Sequence, residues 1–105
     1  MAGRVVLLKL ALQDIQDLFA FVAQESGTDR AELILRRIEA TAQSLANWPG
    51  IGRIRQNMDG APRAFSVGPW LIVYEALPSG EGIAVWRIID GRRDLTDLIH
   101  PPRPV

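Results

Sequence analysis

The side chains able to do chemistry in this sequence are few and mostly cationic. Arg53, Arg55 and Arg63 gather around a stretch punctuated by Gly52, Gly60 and Pro62. A guanidinium presents a planar fork of donors that matches the oxygens of a phosphate or carboxylate, so the cluster reads either as a local anion grip or as a solvated loop. A second concentration is Asp90-Gly91-Arg92-Arg93-Asp94-Leu95, which reads either as surface ion pairs or as a contact for an anion or a partner. His100, the one histidine, stands beside Pro101-Pro102. Imidazole titrates near neutral pH, so His100 is either a proton-transfer group or a solvated tail residue. Of the three tryptophans, Trp48 ends an apolar helical stripe and is expected in the core. Trp70 and Trp86 fall on strands, where either packs internally or anchors a partner on an open sheet face.

Much chemistry is excluded at once. The chain has no cysteine, which removes a disulfide framework, a thiolate nucleophile and a thiolate zinc site, and one histidine is too few for most transition-metal centres. No metal and no cofactor are expected. Gly50, Gly52 and Gly60 make no phosphate loop, because no Gly-Lys-Ser/Thr follows them. Twelve basic residues balance twelve acidic ones, five against six in residues 1–50 and seven against six in residues 51–105. Without a global positive field, any nucleic-acid contact must be local. Eleven of the twelve bases are Arg, which reflects either bidentate recognition or coding bias.

The elements that must position these residues follow from periodicity. At 105 residues the chain makes one domain, placed at 1–100, with a mobile Pro-rich tail at 101–105. Residues 4–9 read as a short strand. Ala11, Ile15, Leu18, Phe19 and Val22 then recur at three- and four-residue steps, with Gln13, Asp14, Asp17 and Gln24 on the solvent face of the implied helix. Gly27 stops it. Asp29 with Glu32 suggests a capping box for a second helix whose stripe is Ala31, Ile34, Leu35, Ile38, Ala42 and Leu45, ended by Trp48-Pro49-Gly50. Residues 51–61 read as a loop. Three β-rich runs at 63–67, 70–76 and 83–90, parted by Gly68-Pro69 and by Pro78-Ser79-Gly80, form an antiparallel meander, and a turn of helix is expected over 94–99. The order strand, helical hairpin, three strands predicts an α+β two-layer sandwich with the hairpin packed on one face of a mainly antiparallel sheet, the other face left open. No export signal or membrane-length apolar run is present, so a cytoplasmic protein without membrane contact is expected.

Read in order, several of these residues resemble the ParE/RelE superfamily of bacterial type II toxins, found in plasmid-stabilisation modules. They are Ala11-x-x-Asp14-Ile15-x-x-Leu18, Leu45-x-x-Trp48-Pro49-x-Ile51-Gly52, Arg63, Ile72-Val73-Tyr74-Glu75, and Arg87-Ile88-Ile89-x-Gly91-Arg92-Arg93-Asp94-Leu95. The resemblance covers nearly the whole chain. RelE-like members are ribosome-dependent mRNA endonucleases that hold the scissile phosphate with cations and often use a tyrosine near the C-terminus. Here Phe65-Ser66-Val67 falls where such a nuclease carries a catalytic arginine, and Ile99 near the place of the tyrosine. ParE-like members instead block DNA gyrase by binding. The neutral charge and the Gly91-Arg92-Arg93-Asp94-Leu95 ending favour that branch. The resemblance then implies a gyrase-directed toxin, neutralised by a cognate ParD-like antitoxin and meeting operator DNA only through the antitoxin complex. Its partner-binding candidates are Arg92, Arg93, Asp94, Trp70 and Trp86. The alternatives are a RelE-like nuclease built on Arg53, Arg55, Arg63, Arg93 and His100, and an inactive antitoxin-binding relative.

Overall fold

The computed structural model describes residues 3–92 and 99–101. In chain order the elements are β1 (Arg4–Leu7), α1 (Lys9–Ser26), α2 (Thr28–Asn47), β2 (Arg53–Ile54), β3 (Arg63–Val67), β4 (Trp70–Ala76) and β5 (Gly82–Asp90). The strands form one sheet in the order β1-β5-β4-β3-β2, with β1 parallel to β5 and every other pair antiparallel. This is the α+β two-layer sandwich expected from the order of elements, with the hairpin on one face.

Each helix buries the stripe that its periodicity marks. On α1 these are Ala11, Leu18 and Val22, and on α2 Ala31, Ile38, Ala42 and Leu45. Gly27 parts the two helices at φ +93°, a conformation costly for any residue with a Cβ, and its N–H bonds the Ala23 carbonyl at 2.9 Å. Because Gly27 already breaks the helix, Thr28 starts α2. The expected Asp29 cap is therefore displaced: Asp29 lies inside the first turn, where its charge suits the helix dipole but makes no cap bond. β1 is likewise shorter than expected, since Lys9 opens α1.

Three further expectations are corrected. Residues 51–61 are not all loop, because Arg53 and Ile54 pair with Ala64 and Arg63 as an edge strand. Trp48 is 70% exposed rather than core. The chain leaves helical geometry at Trp48, at φ −136°, and turns through a 3₁₀ segment at Pro49–Ile51, so the α2 stripe no longer governs where this ring points. The second sheet face is not open: Met58 and Ile99 pack there with Ala64, Leu71, Val73, Trp86 and Ile89. The helical turn expected over 94–99 lies outside the described residues, apart from Ile99, which is fully buried. No described helix is long and apolar enough to cross a membrane.

The side-chain alternation of the central strands slips once. Ile83 and Val85 face the helices, and so does Ile88, because the β4–β5 register shifts between Val73 and Tyr74. One extra residue of β5 is accommodated at Trp86-Arg87, and a bulge of this kind re-aims a side chain.

Candidate functional site

Polar side chains tie the sheet to the junction that follows α2 and to α1. The Tyr74 hydroxyl donates to the Pro49 carbonyl at 2.7 Å and accepts the Gly52 N–H at 2.8 Å. Arg63 donates from Nη1 to the Gly52 carbonyl at 2.8 Å. A Cβ on Gly52 would overlap the Tyr74 ring, which is why the junction after α2 carries glycine there. Burial holds the Tyr74 phenol above its ordinary pKa, partly offset by the Gly52 hydrogen bond and the Arg63 charge.

The second tie is an ion pair between α1 and the β5 bulge. Arg87 donates from Nε to Asp14 Oδ2 at 2.7 Å and from Nη2 to Oδ1 at 2.9 Å, and the Ile88 N–H donates to Oδ2 at 3.0 Å. The side chains are only 19% and 10% exposed. The Asp14 hydrogen bonds raise the Arg87 pKa, against desolvation. Asp14 thus faces the sheet and not solvent, a correction to its expected place. The signal was available: Asp14 stands three residues after Ala11 and four before Leu18, on their buried face.

A third fork lies at the exit of β5. Arg92 donates from Nε to Asp90 Oδ1 at 2.9 Å and from Nη2 to Oδ2 at 2.7 Å, and its own N–H donates to Oδ1 at 3.0 Å. Arg92 is well exposed, and the Asp90 hydrogen bonds raise its pKa.

The residues singled out in the sequence scatter over these surfaces. Arg63 lies in one cross-strand row with Tyr74 and Val85, which face the helices, whereas Arg53 lies opposite Ala64 and Val73, on the other face. The two arginines therefore leave the sheet on opposite sides. Arg55 bonds Pro62 through its backbone and reaches Asn57 at 3.5 Å. His100 is exposed, between buried Ile99 and half-buried Pro101. Trp86 is 4% exposed and presents no ring to a partner. Arg93 and Asp94 lie outside the described residues.

Trp70 and Arg92 do meet. They line one cleft of about 270 Å³ at the end of the sandwich, between the hairpin and the β3–β4 turn. Its floor is Phe21, Val22, Ile34, Val67 and Trp70, and its rim carries Glu25, Arg30, Arg37 and Arg92. A second cleft of about 350 Å³ adjoins it past Phe21 and Trp70, which line both, and runs along Asp14, Asp17, Arg87 and Asp90. Phe21 is 58% exposed, a large apolar ring left on the surface. An apolar floor between charged rims, with an aromatic at the centre, is the equipment of a protein-binding groove. Phe21, Arg30 and Arg37 escaped the sequence reading because their helices alone give them no partner across the fold.

Known proteins match this chain along most of its length. The sequence profile of the ParE toxin of the type II toxin-antitoxin system, parDE, matches residues 5–95. Toxin ParE3 of Caulobacter vibrioides is 34% identical over 93 residues, which cover 89% of this chain and 91% of that protein. Among solved structures, a chain of the chromosomal ParDE TA system from P. aeruginosa superposes with a TM-score of 0.68 at 16% identity, covering 83% of this chain and 94% of the other. That likeness shows the shared fold.

Proposed function

This chain belongs to the ParE toxin family of type II toxin-antitoxin systems, and we propose that it arrests bacterial growth by binding and poisoning DNA gyrase, held in check by a cognate ParD-like antitoxin. The observation that carries this reading over a nuclease is that the candidate cations do not converge: Arg63 is committed to the Gly52 carbonyl, and Arg53 and Arg63 leave the sheet on opposite faces. A phosphate-cleaving site needs preorganised cations aimed at a developing charge. Cations parted on the two faces of a sheet do not close on one phosphate. Balanced charge agrees, because an rRNA-docking nuclease gains from a strongly positive field. Arg92, with Arg93 and Asp94 after it, supplies the target contact, and operator DNA is met only through the antitoxin complex.

Inducible expression in bacteria without antitoxin, followed by precursor incorporation in the first minutes, tests this. DNA synthesis is expected to fail before protein synthesis, and purified gyrase is expected to accumulate cleaved DNA when the toxin is added. Earlier failure of protein synthesis, with mRNA cut on ribosomes, would replace gyrase with the ribosome.

A further inference from the structure

Away from the clefts at Trp70, three large apolar side chains stand in solvent within residues 48–54: Trp48, Ile51 and Ile54 are 70%, 51% and 46% exposed. Ile34 lines the first cleft, and the end of α2 at Trp48 lies about 20 Å farther along the helix axis. The junction that carries Trp48 and Ile51 is bonded to the cross-strand row of Ile54. Ile54 pairs with Arg63 and Arg63 with Tyr74, while the Tyr74 hydroxyl and the Arg63 guanidinium hold Pro49 and Gly52. Beside this patch runs the outer edge of the sheet, since β2 has a neighbour on one side only. The Arg55 N–H donates to the Pro62 carbonyl at 2.7 Å. Backbone groups alternate sides along an antiparallel strand, so Arg53 and Arg55 turn theirs toward β3 and Ile54 turns its N–H and C=O outward. Neither Ile54 group has a hydrogen-bond partner among the described residues.

We propose that this edge takes an extended acidic segment of the target protein as an added strand, with an apolar side chain opposite Ile54 and carboxylates opposite Arg53 and Arg55. The proposal rests on the reading that the chain acts by binding its target. The Arg92 contact is charged and exposed, and Trp48 supplies the apolar anchor that a protein interface places at its centre. Charge identifies the occupant. Arg53 and Arg55 flank Ile54, and neither closes on a carboxylate among the described residues. A second copy of this chain does not suit the edge, because antiparallel pairing about Ile54 sets each Arg53 opposite an Arg55, and like charges directly opposite repel. A free anion leaves the indole and the open Ile54 groups unused. A strand with a carboxylate on either side of an apolar residue answers the arginines, the patch and the backbone together.

The test uses the purified full chain and labelled extended peptides of about ten residues, with either Glu-Val-Glu or Lys-Val-Lys at the centre. Anisotropy is expected to give the Glu peptide an affinity about tenfold above its Lys counterpart, and the preference is expected to invert in Arg53→Glu/Arg55→Glu. Methylating the valine nitrogen of the Glu peptide, which removes the donor facing the Ile54 carbonyl, should abolish binding to the unaltered protein. Ile54→Pro should do the same from the other side: it removes the outward N–H and spares the pairing with β3, since proline is accepted on an edge strand. Equal binding of the two peptides, a preference unmoved by the charge reversal, or binding indifferent to the methyl group would each overturn the proposal. Purified gyrase tests the source of the segment. Trp48→Ser and Ile54→Pro are expected to accumulate about tenfold less cleaved DNA than wild type, and poisoning at the wild-type level by both would overturn the assignment to the target. A wild-type chain that leaves gyrase unpoisoned would instead sink the gyrase reading, while the peptide preference still decides the chemistry of the edge.

Discussion

On the helix-covered face of the sheet, the Tyr74 hydroxyl both donates and accepts, and the Asp14 carboxylate takes three donors. On the opposite face the Trp86 indole is buried close to Gly60, where an added Cβ would come within 2.9 Å of its ring and 3.1 Å of Pro101. Its Nε1 is the one buried side-chain polar atom among the described residues without a hydrogen bond. Both faces exclude water, but by different means. Hydrogen bonds and ion pairs are directional, so the first face fixes how the hairpin sits on the sheet and thereby shapes the groove at Trp70. Apolar contact is not directional, and the second face needs only to be covered.

Breaking the Asp14–Arg87 pair tests this contrast most severely. Asp14→Ala leaves a largely buried guanidinium without its carboxylate and is expected to cost about 3–5 kcal/mol in urea unfolding. Replacing both partners by leucine should cost much less, since no charge is then stranded. If Asp14→Ala unfolds at the wild-type midpoint, the pair does not hold the hairpin.

Tyr74→Phe comes next, at about 1–3 kcal/mol, because the Gly52 N–H and the Pro49 carbonyl both lose their partner. The same residue makes stability depend on alkaline pH. Tyr74 keeps its proton in the folded chain beyond the ordinary 10.0, whereas the unfolded chain releases it there. Its contribution is therefore complete below pH 10 and declines as pH rises through the folded value. Tyr74 is the only tyrosine, so phenolate absorbance reports it alone, and in Tyr74→Phe this component of alkaline destabilisation should vanish.

Trp86→Phe should stay within about 1 kcal/mol of wild type. The lost ring volume costs stability, but an unpaired donor is removed from the interior. A loss larger than that of Tyr74→Phe would mean that the second face depends on its tryptophan as much as the first depends on its hydrogen bonds. The smallest effect is expected for Arg92→Ala, which removes a well-exposed guanidinium from its fork: the urea midpoint should not move, and any consequence should surface only in partner binding.

Local chemistry was legible from the sequence. The apolar stripes of α1 and α2, the stop at Gly27 and the β-rich runs around Gly68-Pro69 each depend on neighbours a few residues apart, and these named the fold class and the two-layer order. The absence of cysteine, the single histidine and the even charge narrowed the chemistry in the same local way. Tertiary structure decided what depends on pairing across the chain. Arg87 meets Asp14 from 73 residues away, at a bulge that shifts the alternation of β5. Arg53 and Arg63, read as one cluster, are parted because neighbouring strands set them in rows on opposite faces. Trp48 left the core because its helix ended one residue earlier, and Trp70 met Arg92, Arg30 and Arg37 only where the β3–β4 turn reaches the hairpin. Periodicity tells which face of an element is apolar; only the register between elements decides which side chains share a site.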